Sequence, residues 1–512
     1  LSPRLYYDIY LAVTAELRVF EVYIAEAVSR TLRHEGNAGV SRSDPVFSVL
    51  ELYENAQTTL HVIPRLYLLI TVGGVYLRSA QAPPRDILRD LSEMCCGVQH
   101  PQRGLFLRAY LAQTMMRDLN EIQKPVQGPS VSASRSGLKE LNPPAPDGSP
   151  PDEASGVDDS IDFLLKNFTE MNRLWVRMQH DCPAKEREKR EAERRELGLL
   201  VGVNISKLAS IADVTDELYS TIIFPALSDQ IVSCHDPIAQ EYLCDCIVQA
   251  FPDEYLLFTI DSFLTMCGSL TRGVDMKAII RSVTTRLSSF AERSEENAKR
   301  VRKARTFELL EKHLPEISNG TVVEFGLSVE DLLQIYLSLL EFAVKAYPEE
   351  MSCVDTVYGF CVSSLSKGSL EDDDIALTTL GTSTETVLAD SPLEYLIVQL
   401  LEIPLRVHRT IDIPLQWNNW LPLSLKIAPN VRRRVSMTLL REIEFVPPCL
   451  NSPAQVNKLF DFISSLVQPE LGLQSDAEND NDIHIYHPFL FPDRNLNAAS
   501  SELDIGSSGR RA

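Results

Sequence analysis

Apolar residues recur along most of the chain at the three- and four-residue spacing that gathers them on one side of a helix. Leucine-rich segments of this kind dominate, and runs in which β-branched residues alternate with polar residues are hard to find. Helix-start signals punctuate the pattern, with Asp236 before Pro237 and Ser452 before Pro453. The pattern therefore predicts an all-α protein.

Two stretches share the order helix, short turn, helix. The first turn contains His100 and Pro101, and the second contains His235, Asp236 and Pro237. Antiparallel helix pairs of this kind stack side by side in helical-repeat proteins, where each pair buries its face on the next. The sequence thus predicts a HEAT-like α-solenoid of stacked antiparallel helix pairs with disordered loops.

Polar segments divide the predicted solenoid. Segments rich in Pro, Ser and Gly, or in acidic residues, do not bury enough apolar surface to order themselves. We therefore predict four parts, which are N-terminal layers in 1–122 with a polar break near 34–44, a disordered linker or loop in 123–157, continued solenoid in 158–468 with a polar loop near 363–393, and a poorly ordered tail in 469–512.

The most apolar stretch is Ile63–Leu77, "IPRLYLLITVGGVYL", which is too short to span a membrane. A helix that is apolar all round must be covered on more than one side. Pro64 suits the first turn of such a helix, although it can also kink a longer one. Gly73 and Gly74 each cost about 1 kcal/mol of helix propensity. Close approach of a neighbouring helix and a break in the helix both fit these glycines.

Arg65 is the single charge in this apolar stretch. An arginine at the head of an apolar helix can extend its guanidinium to solvent or cap a neighbouring helix. Arginine beside aromatic and leucine side chains is also typical of a protein–protein hot spot. The pattern does not separate a structural role from a binding role.

Composition narrows the function classes. The 512 residues carry a formal net charge of −22, which argues against nucleic-acid binding because phosphate neutralisation needs clustered Lys and Arg. Ten scattered cysteines indicate reduced thiols in the cytosol. The first residues lack the order of a signal peptide, and from the absence of an initial Met we expect a fragment or an incomplete gene model.

Candidate chemistry is sparse. Cys234 and His235 precede Cys244 and Cys246, but the last two lie two apart on a helix and point to different sides, which favours buried thiols over a zinc site. A Cys/His nucleophile pair is formally present without a flanking signature. Phosphate-binding glycine loops and zinc-protease motifs are absent from the sequence. We therefore predict no catalytic residue, no metal, no cofactor and no enzyme activity.

The helix over 185–196 is densely charged with both signs mixed, so we predict a solvated face. The spacing of Glu186 with Arg190, and of Glu191 with Arg195, predicts ion pairs across one turn, each contributing about 0.2–0.5 kcal/mol.

The string "PRLYLLITVG" resembles the signature segment of the large subunit of retromer, the vacuolar protein sorting 35 family. Further segments resemble the family in the same order, and the resemblance is dense over residues 3–260 and weaker over 260–468. These further segments are "DILRDLSEMCCGVQHPQRGLFLRAYL", "MNRLWVRMQH", "REKREAERRELGLLVG" and "AQEYLCDCIVQAFPDEY".

The resemblance implies a non-enzymatic α-solenoid scaffold that recycles cargo from endosomes to the Golgi or the plasma membrane. Family members bind an arrestin-like subunit at their N-terminal end, where sorting nexins and cargo tails also meet the complex, and a phosphoesterase-fold subunit along their C-terminal half. In this sequence the family's segment for the arrestin-like subunit corresponds to Pro64, Arg65, Leu66, Tyr67, Leu68 and Leu69.

Family members are longer than this chain, so we expect the docking surface of the phosphoesterase-fold subunit to lie outside it. The resemblance also implies a cytoplasmic protein that is recruited indirectly to endosomal membranes. Two alternatives remain from the residues alone. One is a helical-repeat adaptor of another coat or transport system, and the other is an enzyme with a Cys/His site.

Overall fold

The computed structural model describes residues 2–35, 48–123, 154–179, 186–212, 214–319, 327–368, 392–408, 411–442 and 452–467. These residues form helices and connecting turns, and none of them forms a β-strand. The all-α prediction is confirmed.

Three short helical segments carry no label, and they are Asp216–Leu218, the π-helical turn Tyr219–Ile223 and the 3-10 turn Pro414–Gln416. The other described helices vary from one turn to nine turns in length. In chain order they are α1 (Pro3–Glu35), α2 (Val49–Gln57), α3 (Val62–Arg78), α4 (Pro84–Cys96), α5 (Pro101–Gln123), α6 (Ala154–Arg177), α7 (Arg187–Ala209), α8 (Phe224–Ser233), α9 (Pro237–Ala250), α10 (Asp253–Gly268), α11 (Met276–Arg293), α12 (Glu295–Lys303), α13 (Thr306–Asn319), α14 (Val329–Ala346), α15 (Met351–Gly368), α16 (Pro392–Val407), α17 (Trp420–Ser424), α18 (Pro429–Glu442), α19 (Pro453–Phe462) and α20 (Ser464–Val467).

The helices stack in two layers. One layer runs through α3, α5, α7, α9, α11, α14, α16 and α18, each packed against the next. The other layer runs through α4, α6, α8, α10 and α13, and farther along the chain α15 packs on α17. Hairpins such as α6–α7 and α8–α9 join the layers. This arrangement is the predicted α-solenoid, in which each helix pair buries its apolar face on its neighbours.

Two predicted helix starts are confirmed in detail. The Asp236 carboxylate accepts hydrogen bonds from the backbone N–H groups of Ile238, at 3.0 Å, and Ala239, at 3.2 Å, so it caps α9. Ser452 and Gln455 form a reciprocal capping box at the start of α19. Both caps satisfy N–H groups that a helix leaves without an internal partner.

The edges of the polar segments differ from the prediction. Helix α5 continues to Gln123 and α6 begins at Ala154, so the segment predicted as a linker in 123–157 is helical at both ends. Helix α15 continues to Gly368, so the first residues of the loop predicted at 363–393 are helical. Within this helix the hydroxyls of Ser363 and Ser366 donate hydrogen bonds to backbone carbonyls four residues earlier. Most of each polar segment, and the predicted tail, lies outside the described residues.

Helix α1 packs on α3 and leaves several apolar side chains exposed around much of its circumference. Apolar side chains exposed singly in this way are common on protein surfaces. The exposed residues are Leu5, Tyr7, Ile9, Leu11, Val13, Val19, Val22 and Tyr23. None of the described helices combines the length and the apolarity that crossing a bilayer requires.

Candidate partner-binding site

The apolar stretch forms α3, which lies among α1, α2, α4 and α5. Pro64 is in its first turn, and the helix continues through both glycines to Arg78. Every residue from Leu69 to Leu77 is buried. The prediction that this helix is covered on more than one side is therefore confirmed.

The six residues that the family resemblance assigns to partner binding divide between core and surface. Leu66, Tyr67 and Leu69 are buried, and Leu69 has no exposed surface. Pro64 is exposed, whereas Arg65 and Leu68 are half-buried. A partner that docks from outside therefore reaches only one side of this segment.

Arg65 reaches back over the connection that precedes α3. Its Nη1 donates a long hydrogen bond of 3.5 Å to the carbonyl oxygen of Thr59. The next residue, Leu60, has 91% of its surface exposed, and Val62 has 49% exposed. The arginine thus holds the backbone that presents two apolar side chains to solvent. Sequence reasoning missed both, because hydrophobicity alone assigns Leu and Val to the core.

Buried hydroxyl groups join α3 to α5. Thr71 Oγ1 donates to the carbonyl oxygen of Tyr67 at 2.8 Å and lies 2.9 Å from the hydroxyl of Tyr110. The rings of the two tyrosines also touch, with centroids 5.3 Å apart. Burial raises the pKa of both phenols, so they remain neutral hydrogen-bonding groups. This contact fixes the rotation of α3 against α5.

A cluster of charged side chains around buried Glu21 and Asp118 fixes the C-terminal end of α3. Glu21 Oε1 accepts from Arg18 at 2.8 Å and from Arg78 and Arg117 at 2.7 Å each. Arg117 Nε also donates to Asp118 Oδ1 at 3.0 Å. Burial raises the pKa of Asp118, although Arg78 and Arg117 act to lower it. The cluster joins α1, α3 and α5 through charges that compensate one another.

The two glycines of α3 lie where neighbours approach the backbone. A Cβ atom at Gly73 would lie 2.9 Å from Leu91 Cδ1, and one at Gly74 would overlap the Asp118 carboxylate. Of the two readings left open by the sequence, close approach is confirmed, and the helix does not break.

The candidate Cys/His region contains thiols whose pKa is raised by burial. Cys244 is buried, and burial raises its pKa well above the ordinary value. Burial also raises the pKa of Cys234, and that of Cys246 to about 11. A nucleophilic cysteine needs a lowered pKa, so these thiols oppose the enzyme alternative. Within the described ranges, no group of three or more His, Cys, Asp and Glu side chains is placed to hold a metal ion.

The sequence is similar to that of a known protein family. The family model described as Vacuolar protein sorting-associated protein 35 matches residues 1–498. The protein of that name from Dictyostelium discoideum is 36% identical over 471 residues, which are 92% of this chain and 52% of the relative. Vacuolar protein sorting-associated protein 35A of Arabidopsis thaliana is 34% identical over 486 residues, covering 94% of this chain and 54% of the relative.

The Schizosaccharomyces pombe relative of the same name is 29% identical over 500 residues, covering 91% of this chain and 54% of the relative. The chain therefore spans about half the length of the curated relatives it matches. Because the family model covers nearly every residue and two of these relatives exceed 30% identity, the chain belongs to the Vacuolar protein sorting-associated protein 35 family.

Proposed function

We propose that the chain is a non-enzymatic scaffold subunit of the retromer cargo-sorting complex, acting in transport from endosomes to the Golgi and to the plasma membrane. Membership in the sorting family supports this role over that of a general helical-repeat adaptor. The stacked helices supply an extended surface of the kind that scaffolds use. The raised pKa values of the thiols support a role without nucleophilic catalysis.

The N-terminal layers bind the arrestin-like subunit, and sorting nexins and cargo tails meet the complex nearby. Membrane contact is indirect, through these partners, on the cytoplasmic side of endosomes. The net charge of −22 supports protein partners rather than nucleic acid. We do not assign the phosphoesterase-fold subunit to these helices, because the resemblance places its docking surface on the C-terminal half of the longer relatives.

The division of the Pro64–Leu69 segment between core and surface carries the proposal. Its buried side chains cannot touch a partner, so their role is to set the rotation of α3. Arg65 acts as a positioning residue through its hydrogen bond to Thr59. The direct contacts come from Pro64, Leu60 and Val62, which are exposed at the start of α3. Covering these exposed apolar side chains on binding is favourable, because it removes apolar surface from water.

Calorimetric titration with the purified arrestin-like subunit tests this assignment. We expect a Leu60→Asp/Val62→Asp double variant to bind at least about tenfold more weakly, a loss of about 1.4 kcal/mol, without a change in melting temperature. Arg65→Ala is expected to weaken binding and to lower the melting temperature slightly, because the connection before α3 loses its anchor. Phe258→Asp, at an exposed apolar residue on α10, is the matched control and should bind normally. Normal binding by a folded double variant would overturn the assignment.

A further inference from the structure

Helix α7 brings two large aromatic rings against its backbone. A Cβ atom at Gly198 would lie 2.8 Å from Trp175 Cζ2, and one at Gly202 would lie 2.5 Å from the hydroxyl oxygen of Tyr242. These two glycines are one helical turn apart, so both rings rest on the same face of α7. The ring centroids of Trp175 and Tyr242 are 5.7 Å apart, with planes at 75°. This edge-to-face geometry is favourable and fixes both rings.

A buried ion pair between Arg194 and Asp236 packs against the Trp175 ring. Trp175 Nε1 donates to the carbonyl oxygen of Arg194 at 2.8 Å, and the Arg194 guanidinium lies over the indole ring. The guanidinium is buried and donates to the carboxylate of Asp236, the residue that caps α9. The prediction that 185–196 is a solvated face is therefore wrong at Arg194. The contacts make the junction of α6, α7 and α9 rigid.

An open pocket of about 480 Å³ lies above this junction, between α7, α9 and α11. Its volume is within the range of about 300–1,000 Å³ that small ligands and short peptide segments occupy. Aromatic and aliphatic side chains form the floor, and charged side chains form the rim. The lining residues are Trp175, Ile238, Tyr242, Ala278, Ile279, Arg195, Glu241 and Asp245.

The rim contains a cation that does not form its predicted ion pair. Glu191 was expected to pair with Arg195, but it pairs with Arg187 at 3.1 Å. Arg195 is exposed and has no ion-pair partner among the described residues. Its charge is therefore not neutralised where it faces the pocket.

Two carboxylates form the opposite rim. Glu241 and Asp245 are exposed one turn apart on α9 and lie on the same face. Glu241 has no ion-pair partner in the described part of the chain. Asp245 Oδ1 accepts a hydrogen bond of 2.8 Å from Ser282 Oγ, which orients the carboxylate without neutralising it. The pocket thus places two unneutralised negative charges beside an apolar floor.

We propose that this pocket, which we call the α7–α9 pocket, is a docking site for an extended segment of a partner protein. The segment places one large apolar side chain against Tyr242 and Ile238 and a lysine or arginine beside Glu241 and Asp245. Charge complementarity favours a basic segment, because the rim has one more negative than positive charge and the whole chain carries −22. The rings and the capped helix are already fixed, so binding orders few protein groups.

Fluorescence polarisation on the full chain tests the proposal with three labelled hexapeptides of serine and glycine background. The first contains a phenylalanine flanked on both sides by lysine. The second replaces phenylalanine with glycine, and the third replaces both lysines with glutamate. We expect saturable binding of the first peptide and at least about tenfold weaker binding of the other two, because each lacks one of the two contacts. Equal binding of the first and second peptides would show that the phenylalanine contributes nothing, and this result would contradict the proposed apolar contact.

Single substitutions then locate the binding. Glu241→Lys should weaken the first peptide at least about tenfold, whereas Asp229→Lys, the same charge change at an exposed residue on α8 outside the pocket, should change it less than about twofold. Ala278→Trp fills the pocket from its exposed wall without changing charge and should abolish binding. Arg195→Ala removes the competing cation and should strengthen binding.

Two results contradict the proposal. Unchanged binding by the Ala278→Trp variant would show that the peptide lies elsewhere. Equal effects of Glu241→Lys and Asp229→Lys would show attraction to the net charge only. Circular dichroism of each variant confirms that the helices remain folded, and binding of the arrestin-like subunit reports separately on the proposed scaffold function.

Discussion

Helices α3 and α7 both contain two glycines that admit a neighbouring group to the backbone, yet the result differs. At Gly73 and Gly74 the incoming groups are Leu91 and the Asp118 carboxylate, and every residue of this part of α3 is buried. In α7 the incoming groups are two aromatic rings, which leave an open pocket beside them. A glycine therefore sets how closely an element can approach, whereas the entering side chain decides whether the space closes.

The two regions also differ in the burial and pairing of their charged side chains. Around α3, Glu21 and Asp118 are buried and their charges are compensated by arginines. Beside α7, the charges of Arg195 and Glu241 face solvent without an ion-pair partner in the described residues. Buried ionic groups become costly when one partner is removed, whereas exposed ions are stabilised by water. We infer that the first region maintains the shape of the stack and the second is available for binding.

The largest effect is expected from Glu21→Ala, which removes the acceptor shared by three arginines. Arg78 and Arg117 lose one of their two buried carboxylate partners and keep Asp118, so the free energy of unfolding should fall by about 3 kcal/mol in urea titrations. The control is Glu191→Ala in the exposed pair with Arg187, where we expect a loss of less than about 0.5 kcal/mol. Equal losses would break the distinction between the two regions.

The next largest effect is expected from Gly74→Ala. The added methyl group overlaps the Asp118 carboxylate, which Arg117 holds in place, so the free energy of unfolding should fall by about 2 kcal/mol despite the better helix propensity of alanine. Gly268→Ala is the matched control on α10, because a Cβ atom there meets nothing within 4 Å. It should be neutral or stabilise by up to about 1 kcal/mol. A stabilised Gly74→Ala variant would contradict the close approach.

Much of the fold follows from local signals in the sequence. Apolar spacing predicts the helices, and Asp236 and Ser452 predict starts at the residues observed, because a cap depends only on the next three residues. The apolar character of Ile63–Leu77 on all sides also predicts its burial, because a helix of this kind must be covered on more than one side. The helical ends of the polar segments were missed, because serine-rich sequence supports a last helical turn and a loop equally well.

The ionic cluster and the pocket were not predictable, because they depend on which helices become neighbours. Glu21 bonds to Arg78 and Arg117, which are 57 and 96 residues away along the chain. The sequence shows them only as charges on amphipathic helices. The partner of Arg195 was predicted wrongly because Glu191 lies four residues from both Arg187 and Arg195. The spacing rule fits both arginines equally, and tertiary packing decides which one forms the ion pair. The family resemblance found the Pro64–Leu69 segment but not the exposed Leu60 beside it.

A smaller effect is expected from Gly198→Ala in α7. The added methyl group would lie 2.8 Å from Trp175 Cζ2, and because the ring borders the open pocket, a displacement of a few tenths of an ångström relieves the overlap while the hydrogen bond to Arg194 remains. The free energy of unfolding should therefore fall by only about 1 kcal/mol, less than for Gly74→Ala. The lysine-flanked phenylalanine peptide should also bind more weakly, because the shifted ring narrows the pocket. A loss equal to that of Gly74→Ala would show that the pocket gives no room for relaxation.

The smallest effect is expected from Asp331→Asn, which removes a partly exposed ion pair between α14 and α11, the helix that forms one pocket wall. Lys277 Nζ donates to Asp331 Oδ1 at 2.7 Å, and this hydrogen bond lowers the pKa of Asp331 below its ordinary value of 3.8. A carboxylate with a lowered folded-state pKa stabilises the fold above pH 3.8, and that contribution is lost as pH falls through the folded-state pKa. Asp331→Asn should therefore lower the free energy of unfolding by less than about 1 kcal/mol at neutral pH, and the difference should shrink in strong acid and in high salt. Urea titrations of both proteins across pH and salt measure it. If the difference persisted at high salt, the pair would behave like the buried Glu21 cluster, and exposure would not be what separates the two regions.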